Sequence, residues 1–152
     1  MTNDVPVSIT ISVGNRENQE ILFTVSPRNL IETVNKIQVE FAQILFILLI
    51  RVIDDIIKNT IMKGKKILGK EKRTISTLFG MATFYRRVYQ DETGKRVKPV
   101  DDELGLKPYE RRDQKLKETN CVLAAGSNYR SAAWSSLLLT HTYSSPATIH
   151  RD

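Results

Sequence analysis

The chain has 152 residues with 23 Lys/Arg against 17 Asp/Glu, a formal charge of +6, and hydrophobic and charged contents of 41% and 26%. These values belong to a foldable domain and exclude a wholly disordered, collagen-like or repeat-array polypeptide. One cysteine, Cys121, cannot close an intrachain disulfide, and with two histidines a His/Cys zinc site would need most of its ligands from carboxylates.

Residues 1–27 carry no basic leader, since Asp4 stands where a secretory signal would hold Lys or Arg; no signal peptide is expected, and the reading is cytoplasmic. VSITISV (7–13) alternates apolar and small polar residues, Gly14-Asn15 offers a turn, and EILFTV (20–25) is a second β-prone run. A short hairpin in an otherwise poorly defined extension follows from this pattern.

Ser26-Pro27 introduce a long apolar helix over 28–62. Leu30, Ile31, Val34, Ile37, Phe41, Ile44, Leu45 and Leu48 recur at three- and four-residue steps and share a face. From Ile44 to Ile50 the helix is apolar on all sides. A bilayer span needs roughly twenty such residues, and Gln43, Arg51, Asp54 and Asp55 bracket this run too closely. A membrane span is therefore the minor reading. The expectation is burial against partner helices, with a homo-oligomer formed through residues 30–57.

Charge concentrates beyond the helix. Residues 58–117 hold 17 Lys/Arg and eight Asp/Glu, net +9, while the rest holds six basic and nine acidic residues, net −3. A basic middle is the footprint of a polyanion binder, and a solvated basic surface is the plainer alternative. KGKK (63–66) and GKEKR (69–73) suggest a basic linker over 63–73, kept extended by two glycines and mutual repulsion and suited to tracking phosphates.

Residues 74–108 predict a three-stranded β-meander. Ile75, Thr77 and Phe79 alternate with Thr74, Ser76 and Leu78; Gly80 interrupts, MATFYRRVYQ continues to Gln90, Asp91-Glu92-Thr93-Gly94 turns, and a third strand runs from Lys95 to Val100. In the central strand Tyr85, Arg87 and Tyr89 share one face, and Phe84, Arg86 and Val88 the other. Two aromatics around an Arg could stack on bases, or pack beneath a helix with the Arg at the rim. Asp101, Asp102 and Glu103 begin an acidic elbow read as a solvated turn with no catalytic role and no metal.

Residues 109–152 read as helices with a helix-turn-helix plan. Arg111, Arg112, Lys115 and Lys117 line the polar side of a helix over 110–125, Gly126-Ser127-Asn128 break and re-cap, and Ala132, Ala133, Leu137 and Leu138 fall at core spacing in the next helix. Ser145-Pro146 then open a last helix, whose Ser144, Ser145, Thr148, His150 and Arg151 would face bases or phosphate.

RTISTLFGMATFYRRVYQDETGKRV, DELGLKPYERR and YRSAAWSSLLL followed by SSPATIHR come in one order over about 72–151. Together they resemble the amino-terminal half of a bacterial insertion-sequence transposase family, the ISLre-two type, whose members are also known as uncharacterised proteins. The most specific phrases are Thr77 to Gly80 with Arg86-Arg87, Tyr89, Asp91-Glu92 and Gly94, then Tyr129-Arg130, Ala132-Ala133 and Thr148 to Arg151. The resemblance implies an RNase-H-like domain further on, holding divalent metal such as Mg, with no residue of that site in this chain. The resulting expectation is an α+β, DNA-binding amino-terminal fragment, no enzyme by itself, without a cofactor of its own, and with the ends of a transposable element as partner. Arg86, Arg87, Lys95, Arg96, Arg111, Arg112 and Arg130 would contact phosphate, with Ser145, Thr148, His150 and Arg151 nearer the bases. The alternative is a helical interaction or membrane-peripheral module with no nucleic-acid role, its basic link touching anionic headgroups.

Overall fold

The computed structural model describes residues 5–12, 19–25 and 30–152. The alternating runs near the start pair as an antiparallel hairpin of β1 (Val5–Ile11) and β2 (Gln19–Val25), with Ile9 opposite Ile21. The turn expected at Gly14-Asn15 and the helix opening at Ser26-Pro27 lie outside the described residues.

Helix α1 (Leu30–Asn59) carries Glu32 in its first turn and Lys58 in its last, both of favourable sign for the helix dipole. Its all-round apolar character separates into two faces. Ile50 and Ile57, with Phe46, Ile47 and Ile53 beside them, pack on Ile75, Ala82, Phe84, Val100 and Leu106 to form the main core. Ile31, Val34, Leu45, Leu49 and Ile56 remain exposed. Among the described residues no helix is long and apolar enough to cross a membrane.

Most of the expected basic linker is a strand. β3 (Ile67–Thr77) pairs antiparallel with β4 (Gly80–Gln90), setting Lys70 opposite Arg87, Glu71 opposite Arg86 and Lys72 opposite Tyr85. Ladder pairing satisfies the backbone, and the single acid in the run, Glu71, offsets the like charges that argued for a solvated path. Only residues 63–66 remain as connector, and Gly64 takes the positive φ of 78° there. The hairpin turns at 78–79, not by an interruption at Gly80: the Thr77 hydroxyl donates to the Gly80 carbonyl at 3.0 Å and accepts from the Phe79 N–H at 3.1 Å. Gly80 itself sits at φ 101°, a conformation strained for any residue with a Cβ, and the Gln43 amide of α1 would have to move aside for one.

The third strand is shorter than expected. β5 is only Arg96–Val97, because Pro99 opens a short helix, α2 (Pro99–Glu103), in place of an elbow. The chain then forms α3 (Gln114–Gly126), α4 (Tyr129–Thr140) and α5 (Pro146–Arg151). Asp113, Asn128 and Ser145 cap them, each side chain accepting from the backbone N–H three residues on. The cap at Asp113 explains why α3 begins after the expected residue 110. His141, in the left-handed region, ends α4.

This helical unit has a small apolar centre of Ala132, Ala133 and Ile149, backed by Leu123 and Ala124. Leu138, expected in the core, is exposed. Buried polar groups supply the rest: Ser136 donates to Asn120 at 2.8 Å, and Asn120 donates to Ser144 and Asp152 at 3.2 and 3.0 Å. The unit is tied to the hairpin through Ser76, whose N–H meets the Arg111 carbonyl at 2.7 Å and whose carbonyl accepts from Asp113 N–H at 3.0 Å. Thr142 adds a hydroxyl bond to the Thr77 carbonyl at 2.7 Å. The architecture is α+β.

Candidate nucleic-acid interface

Between the three-stranded sheet and the segment running from α2 to residue 109 lies a cleft of about 680 Å³. Lys72 and Arg73 come from β3, Arg86 from β4, Lys95, Arg96 and Lys98 from the region of β5; Glu71, Asp101 and Asp102 are its only acids among the described residues. The β3–β4 ladder and the closing turn bring these basic residues to the cleft from three stretches of chain.

The acids organise the floor. Glu71 takes Lys98 at 2.8 Å and also pairs with Arg96, with Arg86 at 3.8 Å. The Lys98 hydrogen bond holds the Glu71 carboxyl below its ordinary 4.5 against the opposing effect of burial. Asp101, on α2, lies 3.2 Å from Arg73 Nη1 and 2.6 Å from Arg86 Nε, the second contact an ion pair whose geometry is off the hydrogen-bond direction. Arg96 is 62% exposed at its side chain and Lys95 is exposed, so the rim keeps cations facing solvent.

The cleft wall ends in a tight turn. The Glu110 N–H reaches the Lys107 carbonyl at 3.1 Å, with Pro108 second and Tyr109 third at φ 65°. This is the type II pattern, whose third position is normally glycine. Arg73 Nη2 clamps the turn by donating to the carbonyls of Lys107 and Glu110 at 3.0 and 2.7 Å. Glu110 returns a hydrogen bond from Lys107 N–H at 3.1 Å and pairs with Lys117. The Tyr109 ring is 97% exposed.

The structure spreads the sequence-expected contacts over three places. Lys95 and Arg96 share the cleft with Arg86, but Arg86 is only 2% exposed and its guanidinium is held by Glu71 and the charge of Asp101, which corrects its role from phosphate contact to structural ion pair. Arg87 points the other way and clamps α1, with Asp54 at 2.6 Å and Asp55 at 2.5 Å, while its own N–H donates to Asp54 at 3.1 Å. Burial works against the Arg87 charge, and these two carboxylates reverse that and raise its pKa. The expected aromatic face is split for the same reason: Tyr85 is exposed, whereas Tyr89 is fully buried.

The remaining residues gather in the helical unit. Arg111 is exposed, with its carbonyl on Ser76; Arg112 is partly buried and pairs with Asp152. Arg130, His150 and Arg151 are exposed, and the His150 ring meets Tyr129 edge-on at 5.1 Å. Ser145 and Thr148 are occupied with the α5 cap and with each other at 2.9 Å, and Ser144 is buried against Asn120. Lys72, Arg73, Lys98 and Tyr109 were missed because the first two read as linker, Lys98 as part of the third strand and Tyr109 as the start of the helical region. The signal for Tyr109 was Pro108, which presets the preceding turn position. No group of three or more His, Cys, Asp or Glu among the described residues could hold a metal ion. Asp101 of the acidic trio is committed to Arg73 and Arg86.

A profile of the uncharacterised protein family UPF0236 matches residues 22–151. Over 95 residues the chain is 33% identical to the UPF0236 protein in vanSb 3'region of Streptococcus gallolyticus, covering 62% of this chain and 21% of that protein. The chain thus spans about a fifth of the length of this curated relative. No solved structure matches it.

Proposed function

The chain belongs to the uncharacterised protein family UPF0236, and on that premise we propose that it is the DNA-binding amino-terminal region of an insertion-sequence transposase. The observation that carries this reading is the basic cleft, where Lys72, Lys95, Arg96 and Lys98 stand at a rim over a floor of internally neutralised arginines. Surface ammonium and guanidinium groups bind phosphate without base preference, and each contact releases counterions. On the helical unit Arg130 would contact phosphate, and His150 and Arg151 would lie nearer the bases, in the manner of a helix-turn-helix. In this reading α1 associates with a second copy, the partner is DNA at the element's ends, and the region has no catalysis or cofactor of its own. Strand transfer would belong to a metal-dependent domain outside residues 1–152.

A fluorescence anisotropy titration against duplex DNA tests this. Affinity should fall steeply with salt, and Lys95→Glu with Arg96→Glu should weaken binding to all sequences alike. Absence of duplex binding at low salt overturns it. A second reading, a helical interaction or membrane-peripheral module, draws on the exposed apolar row Ile31, Val34, Leu45, Leu49 and Ile56 of α1. Recovery with anionic vesicles after a high-salt wash would favour it.

A further inference from the structure

Tyr109 is held in a conformation that glycine would adopt without strain, yet its ring packs on nothing: φ is 65° and the residue is 97% exposed. The turn is over-determined by other groups. Arg73 grips both of its flanking carbonyls, and Glu110 ties it to the Lys107 N–H and to Lys117. Strain that persists because the surroundings enforce it, at a residue with no internal use, points to an external one. The ring stands at the edge of the cleft whose rim carries Lys72, Lys95 and Arg96.

We propose that Tyr109 is a base-stacking residue and that the cleft beside it takes an unpaired nucleotide of a single-stranded DNA segment, its phosphates lying along Lys72, Lys95 and Arg96. In a duplex both faces of each internal base are covered by its neighbours, so a protruding ring finds no π-face; an unpaired or overhanging base offers one. An aromatic beside a row of cations is the arrangement that holds single strands, the cations following the backbone and the ring receiving a base of any sequence. The inference rests on the DNA-binding reading and adds the class of DNA to it.

Anisotropy titrations with three labelled probes test it: a single strand, the same strand in a blunt duplex, and a duplex with an overhang. The wild-type chain should bind the single strand and the overhang more tightly than the blunt duplex. Tyr109→Gly keeps the turn and removes the ring, so it should lose roughly ten-fold or more on those two probes with the blunt duplex unchanged. Tyr109→Phe should bind as the wild type does, and circular dichroism melts should show both variants folded. If Arg96→Glu weakens every probe while Tyr109→Gly weakens none, DNA binding stands and this inference is overturned. If no probe binds at low salt, both fall. Blunt-duplex binding equal to single-strand binding, lowered equally by Tyr109→Gly, also overturns it.

Discussion

Adjacent on β4, Arg86 and Arg87 project to opposite sides of the sheet, and each meets a carboxylate from a distant part of the chain: Asp101 from α2 and Asp54 from α1. In the sequence the pair looks like a cationic dipeptide free for phosphate, because nothing local announces those partners. The Arg86 and Asp101 side chains are 3% and 7% exposed, so this is a buried pair, and removing one member strands the other. Asp101→Asn, which leaves Arg73 and Arg86 without their shared carboxylate, should cost about 3–5 kcal/mol in urea denaturation. The Tyr89 hydroxyl is buried and without a hydrogen-bond partner among the described residues. Tyr89→Phe should therefore be neutral or stabilising by up to about 1 kcal/mol. Tyr109→Gly should raise stability by up to about 1 kcal/mol, the relief of the left-handed strain exceeding the added flexibility of the unfolded chain. Glu71 and Asp113 respond to pH with opposite signs. The Glu71 carboxyl is held below 4.5 by Lys98, so its contribution is present above that value and is lost as pH falls through the lowered one. Burial raises Asp113 above its ordinary 3.8, so its contribution is full below that value and declines as pH rises through the raised one. Across a pH series, Glu71→Gln should flatten the acid limb of stability. Asp113→Asn, still able to accept from Leu116 N–H, should remove the opposing slope.

At the scale of elements, α1 shows how one helix can be apolar all round. Its Ile50 and Ile57 face covers the sheet, and its Leu45, Leu49 and Ile56 face is left over. Leu49→Glu, on a side chain half exposed in the chain itself, should leave the melting temperature within a few degrees of wild type. If α1 carries self-association, the same change should convert dimer to monomer in sedimentation velocity. A wild-type chain that is monomeric at every concentration would remove the helix from that role. β3 illustrates the opposite lesson. Gly and Lys argued for an open linker, yet residues 67–73 of it became part of a strand laddered on β4 because β4 offered an unpaired edge and Glu71 supplied a counter-charge. Local propensity gave way to a partner strand.

At the scale of the whole molecule, an apolar core under α1 is joined to a largely polar helical unit through Ser76 and Thr142. Neither residue stood out in the sequence, since a serine bonding through its backbone and a threonine whose hydroxyl reaches a distant carbonyl have no periodic signature. What the sequence determined by itself is local: the N-terminal hairpin, the long helix, the β4 alternation, the Asp91 turn, the capped helices after Asn128 and Ser145, and the concentration of positive charge over 58–117. Period, cap chemistry and turn residues act over a few positions, so they can be read along the chain. Which cations face solvent was decided only by the tertiary structure. Lys95 and Arg96 remain at the rim while Arg86 and Arg87 are neutralised, and Tyr109 is carried to the cleft's edge by Arg73, 36 positions earlier. Ion pairing and desolvation depend on distance in space, and the acids that took two of the expected contacts lie on elements that only folding brings near.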